Sequence, residues 1–225
     1  MKVASTLAAT IFTSAVVGSP VSSLAPRHWG SWGGFWGGWH GWHGSHGGHE
    51  GELSCPANGT LAPGAIEPSL MVVISASEPD TAFGGTQWPE ITPDDKCTIF
   101  NLDLPGDAGN STCTLKFLFP DHTQTSAPYY IDGGMHFTFN GYAPGVGADT
   151  STTYAMQPED GPNPPTPPAL LEPGNAYIIN AGPCLVPEGV EKFTVSGALC
   201  SSDSTFKYLQ TSGMKCPIGF YVEIS

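Results

Sequence analysis

The sequence predicts an all-β fold. It is an antiparallel β-sandwich of about eight strands, jelly-roll or immunoglobulin-like, stapled by disulfides and preceded by a disordered tract. Three observations predict it. Short segments alternate apolar and polar residues with period two, the signature of a strand with one buried face. Gly and Pro, 29 and 22 of them, make 51 of the 225 residues and punctuate those segments. No stretch of ten or more residues carries a helical period with caps at its ends.

Taken in order, residues 70–74 and 176–179 are short, nearly continuous apolar runs, and residues 99–104 alternate loosely. Residues 112–119, Thr-Cys-Thr-Leu-Lys-Phe-Leu-Phe, place Cys113, Leu115, Phe117 and Phe119 on one face. Met135, Phe137 and Phe139 share a face, with His136 and Thr138 opposite. Phe193 and Val195 alternate with Lys192 and Thr194, and Phe206 and Tyr208 flank Lys207. Phe220, Val222 and Ile224 alternate with Tyr221 and Glu223 to form a last strand. Between residues 141 and 173 the pattern breaks. Pro162, Pro164, Pro165, Pro167 and Pro168 make this a long polyproline-like loop.

The six cysteines, Cys55, Cys97, Cys113, Cys184, Cys200 and Cys216, predict three disulfides and no free thiol. No close Cys-x-x-Cys pair is present to suggest a zinc site. Cys97 and Cys113 flank the turn Leu104-Pro-Gly-Asp-Ala-Gly-Asn110, which favours that pairing. Cys184, Cys200 and Cys216 then compete for Cys55.

The first 52 residues read as something other than fold. Residues 1–18 combine Lys2, an apolar run from Val3 to Val17 and small residues at Val16 and Gly18. This is the pattern of a secretory signal peptide cleaved after Gly18, with Ala15 as second choice. The run is too short to span about 30 Å of hydrocarbon comfortably. Residues 19–52 form a low-complexity tract. Its segment 28–49 holds five of the six Trp, five of the seven His and no acid. A Gly-rich backbone is costly to order, so disorder is expected. Residues 53–69 read as a linker, and residues 70–225 as the domain. The segment 217–225 is too short and too alternating for a lipid-anchor signal, and no other stretch has the length of a transmembrane helix. Together these features predict a secreted protein, soluble or held to a cell wall.

Charge narrows the partners. Seven basic residues against 20 acidic ones give a formal net charge of −13. Such a field repels phosphate and argues against nucleic acid. Asn58-Gly-Thr60 and Asn110-Ser-Thr112 are sequons in turn-rich contexts, plausible glycosylation sites in a secreted chain.

A resemblance emerges from four motifs in their order and spacing. They are Cys113-Thr-Leu-Lys-Phe-Leu-Phe-Pro120, Pro173-Gly-Asn-Ala-Tyr-Ile-Ile-Asn-Ala-Gly-Pro-Cys184, Lys207-Tyr-Leu-Gln210 and Pro217-Ile-Gly-Phe-Tyr-Val222. They resemble the fungal ubiquitin-three-binding-protein (But-two) C-terminal domain family over roughly residues 70–225, where the strand pattern runs. The resemblance implies a secreted fungal β-rich domain with no established reaction. The ubiquitin-like machinery in the family's name is intracellular. It is therefore not expected as a partner for a chain with a signal peptide.

The chemical candidates divide by chemistry. His40, His43, His46 and His49 recur every third residue, and imidazoles on a flexible chain can wrap Cu, Zn or Ni. A selective site needs fixed geometry and a second layer of contacts, so a spacer is the plainer reading. Cleavage after Arg27 would expose His28 as an N-terminal copper brace, but a Gly/Trp tract cannot hold one rigid. His122 and His136 read as surface or rim histidines. No Gly-x-Ser-x-Gly nucleophile motif is present. Glu159-Asp160 and Asp94-Asp95 sit in Pro-rich loops and read as solvated. Trp88, Tyr129, Tyr130, Tyr142 and Tyr221 are candidate rings for stacking on carbohydrate. The expected function is a non-catalytic extracellular or wall-associated binding or structural module. Alternatives are a carbohydrate-binding or carbohydrate-active protein, with a cell-wall or host polysaccharide as partner, and a metal binder using the His tract.

Overall fold

The structure is a computed structural model. It describes residues 54–162 and 165–225. The segment expected to be a signal peptide, the tract with its histidines and the expected Arg27-His28 cleavage site lie outside the described residues.

The described chain is nearly all β. Ten strands occur in order: β1 (Leu70–Ser75), β2 (Glu90–Ile91), β3 (Lys96–Pro105), β4 (Thr112–Phe119), β5 (Tyr129–Gly133), β6 (Thr138–Gly141), β7 (Asn175–Pro183), β8 (Lys192–Cys200), β9 (Ser204–Tyr208) and β10 (Gly219–Ile224). One 3-10 turn, Gly106–Asn110, joins β3 to β4. The strands form three antiparallel sheets, ordered β1-β3-β8-β6, β10-β4-β7 and β2-β9-β5. All eight expected strand regions carry a strand, but β6 begins only at Thr138, so Met135 and Phe137 lie ahead of it, with Met135 at a positive φ of 61°. Two further strands, β2 and β5, build the small third sheet.

The first two sheets face each other. Phe100 on β3 meets Phe220 on β10 with ring centroids 4.7 Å apart, and Phe220 meets Phe117 on β4 at the same distance. The third sheet closes one end. Its Phe206 packs against Phe117, Phe119 and Phe137. That end of the core is aromatic and fully buried. The other end holds smaller side chains, Leu102, Leu104, Ala108, Val186 and Val222. Outside the four-stranded sheet, the loop after β6 covers Val72, Ile74 and Ile99 with Tyr142, Ala148 and Tyr154. Asn101 holds that loop, its amide donating to Ala148 O and its carbonyl accepting from Ala148 N, at 2.8 and 3.0 Å. Buried amide groups paired in this way leave no backbone polar group stranded.

The disulfides are Cys55–Cys216, Cys97–Cys200 and Cys113–Cys184, and no cysteine is free. The expected Cys97–Cys113 pairing is therefore wrong. The turn between these cysteines is a crossover from one sheet to the other, not a hairpin. Cys97 lies eight residues back along β3 from Pro105, roughly 26 Å at the rise of a strand. A disulfide needs Cα atoms within about 7 Å. Cys97 and Cys200 instead sit opposite each other where the β3–β8 register continues past Thr98 and Leu199, with Cα atoms 4.6 Å apart.

Candidate functional site

The residues expected to carry aromatic contacts separate by depth. Tyr221 is fully buried, although it alternates away from Phe220, because the segment before β10 covers it. Its hydroxyl donates to Thr211 O at 2.7 Å. Tyr142 is buried and donates to Gln157 Oε1. Burial also raises both phenols far above their ordinary range. Tyr129 is half-buried and stacks flat on His122, centroids 3.9 Å apart. Trp88 and Tyr130 remain in solvent, at 40% and 58% exposure; Tyr130 is on β5 of the small third sheet, and Trp88 lies just ahead of its β2.

The outer face of that sheet has a defined order. Lys207 on β9 lies between Tyr130 on β5 and Glu90 on β2 in register. Pairing continues ahead of β2, where Tyr208 N donates to Pro89 O and Gln210 N to Gln87 O. Trp88 thus stands one row along from Glu90, with the same alternation. With strands about 4.8 Å apart and a rise of about 3.3 Å per residue, the Cα atoms of Trp88 and Tyr130 are roughly 12 Å apart. A third ring, Phe83, is 40% exposed nearby, with Lys96 Nζ 6.0 Å from its centroid.

Glu90 organises the charges. Lys96 Nζ reaches its Oε1 at 2.6 Å and Lys207 Nζ its Oε2 at 2.9 Å. These two hydrogen-bonded ammonium groups hold the carboxyl below its usual range. Two of the five lysines between residues 50 and 225 meet here, on a segment with 20 acids. The face therefore offers rings, donors and an acceptor on one small sheet, and its carboxylate stays ionised at neutral pH. Sequence reasoning missed Glu90, Lys96 and Lys207. Their grouping depends on the pairing of β2 with β9 across more than 100 residues.

His136 and Asp203 form a second cluster, at the β8–β9 turn. His136 Nδ1 is 2.6 Å from Asp203 Oδ2. Ser204 Oγ donates to Asp203 Oδ1 at 2.7 Å and accepts from Met135 N. Ser201 Oγ donates to His136 O at 2.6 Å. Both serine protons are thus committed to this lock rather than to a reacting group, and the cluster clasps the turn to the segment before β6. Gly133 is obligatory there. It has φ of +113°, and a Cβ would sit 2.1 Å from Asp203 O. Ser204 and then His136 pull the Asp203 carboxyl down to about 2 from 3.8. A depressed folded-state pKa gives stability that is full above 3.8 and is lost as pH falls toward about 2. Asp203→Asn should therefore flatten the drop in melting temperature between pH 4 and pH 2. An acid limb as steep as wild type would refute this assignment.

Other expected positions fall where their chemistry allows. Asn58, at φ of +60°, and Asn110 are both exposed. His40, His43, His46 and His49 lie outside the described residues. Among the described residues no group of three metal-ligating side chains comes together, and no helix is long and apolar enough to cross a membrane.

Residues 67–213 match the family model described as the Ubiquitin 3 binding protein But2 C-terminal domain. The chain belongs to the But2 family. The But2 match covers β1 through β9, and so includes the ring-bearing sheet and the His136–Asp203 clasp, while β10 lies beyond it. No curated protein and no solved structure matches the chain.

Proposed function

We propose that this But2 domain is a secreted, non-catalytic binding module that holds cell-wall polysaccharide on the outer face of β2-β9-β5. The observation that carries the reading is the exposure of Trp88 and Tyr130 on either side of the Lys96–Glu90–Lys207 ion pairs. The apolar face of a sugar ring lies well on an aromatic ring, while its hydroxyls need donors and acceptors beside it. A carboxylate held ionised by two lysines is a poor proton donor, which favours binding over glycoside cleavage. Three disulfides suit an oxidising extracellular compartment. The exposed Asn58 and Asn110 suit glycosylation there.

The test is retention of the full chain on insoluble chitin, β-1,3-glucan and cellulose. Trp88→Ala and Tyr130→Ala should each weaken binding to the retained polymer roughly 2- to 12-fold, the worth of one aromatic contact. Neither should change the melting temperature by more than a few degrees, since both rings are exposed. Failure to bind any of the three polymers, or binding indifferent to both substitutions, would remove the sugar from this face.

A further inference from the structure

A separate cleft of about 370 Å³ opens between the two large sheets, at the end away from the aromatic core. Leu102, Leu104, Phe193 and Val195 line it from the four-stranded sheet, and Leu115 and Val222 from the facing one. Their alternation directs them between the layers, where a closed sandwich buries its side chains. Phe100, Phe117 and Phe220, farther along the same faces, are buried completely. Leu115, Phe193 and Val195 are not, because the layers leave space between them.

Missing side chains keep that space open. Gly141 and Gly182 both line it. A Cβ built on Gly182 meets no atom within 4 Å. Gly182 pairs with Cys113, and the Cys113–Cys184 disulfide fixes the strands at this rim. The volume is more than twice the roughly 150 Å³ of an apolar cavity that accepts benzene, and it falls within the range of ligand pockets.

The lining also states the ligand's polarity. No described lining residue carries a charge. Lys192, at the start of β8, is already paired with Asp103 at 2.9 Å. The surrounding domain is strongly acidic, which disfavours an anionic head group. Of the polar lining side chains, Tyr142 donates to Gln157 and Ser196 to Val146 O. Asn180 is exposed beside Leu115 in register, and among the described residues its amide has no partner.

We propose that this cleft binds a neutral single-chain amphiphile, its aliphatic tail between the sheets and one hydroxyl or ester group at Asn180. The site is independent of the sugar-facing sheet.

The experiment titrates the full chain with the neutral fluorophore N-phenyl-1-naphthylamine and then displaces it with 1-decanol or decanoate at pH 8. Saturable binding is expected, with decanol displacing at a concentration at least ten times lower than decanoate. Gly182 lines the cleft and has open space at its Cβ position, so Gly182→Trp places a bulky ring at this rim and should weaken fluorophore binding at least tenfold. Trp88→Ala should leave it unchanged. Methyl NMR of the unaltered protein supplies a reading that needs no variant. Decanol should shift the methyl signals of Leu115, Val195 and Val222, and not those of Val72 and Ile74. Four results would overturn the proposal: no saturable binding, equal competition by decanoate, methyl shifts elsewhere, or a self-association of the chain that Gly182→Trp abolishes. The last would assign the cleft to a second copy.

Discussion

Phe117→Ala should lower the unfolding free energy by about 3–5 kcal/mol, the usual cost of removing a buried ring. Phe117 is fully buried and touches four other rings. Its centroid lies 5.7 Å from Phe119, 6.2 Å from Phe206, 6.0 Å from Tyr208 and 4.7 Å from Phe220. These neighbours come from β4, β9 and β10, so the ring joins the third sheet to the sandwich. Neighbours held on three strands cannot all collapse into the void, which places the cost in the upper part of the range. Urea unfolding measures it. Phe83→Ala, at an exposed ring, is the control and should cost no more than about 1 kcal/mol. Equal losses at the two sites would mean that the aromatic core is not packed as described.

The second large effect is expected from the Cys97–Cys200 bond. Replacing both cysteines with Ala should destabilise the chain by about 2–5 kcal/mol, as the unfolded state regains the freedom of a long closed loop. The sequence separation is 103 residues, near the length for which loop entropy alone gives about 4.7 kcal/mol. A non-reducing digest should yield the peptides of Cys97 and Cys200 joined. A peptide joining Cys97 to Cys113 would overturn the assignment, and a double variant as stable as wild type would overturn the energetics.

What could be read in the sequence depended on how local its physical cause is. The alternation in β4 and β10 is local, and both strands lie where period two places them. The fifth strand, Tyr129–Gly133, carries the same signal in Tyr129 and Ile131. It is only five residues long, hemmed by Pro128 and by Gly133-Gly134, and is easily taken for a turn. Disulfide pairing is a property of sheet register, so the nearness of Cys97 to Cys113 in sequence misled. Alternation also gives a side and not a depth. Tyr221 does point away from the core face of β10, yet the chain returns to cover it. The grouping of Trp88, Tyr130, Glu90 and Lys207 required knowing that β9 lies between β2 and β5, which no local pattern contains.

The Cys55–Cys216 bond also has a mechanical meaning. It joins residues 161 positions apart, one just inside the described chain and the other three residues before β10. Tension applied through the segment before Cys55 and through residue 225 would cross the molecule by way of this sulfur bridge. Almost the whole sandwich would stand outside the load path. The stretch that such a pull could release is residues 217–225, no more than about 30 Å when fully extended. Release would require shearing β10 from β4 and from its bridge at Ile66. A tether built in this way would yield by one short step, which also costs the core Phe220, and the sulfur bridge would then carry the load until it is reduced.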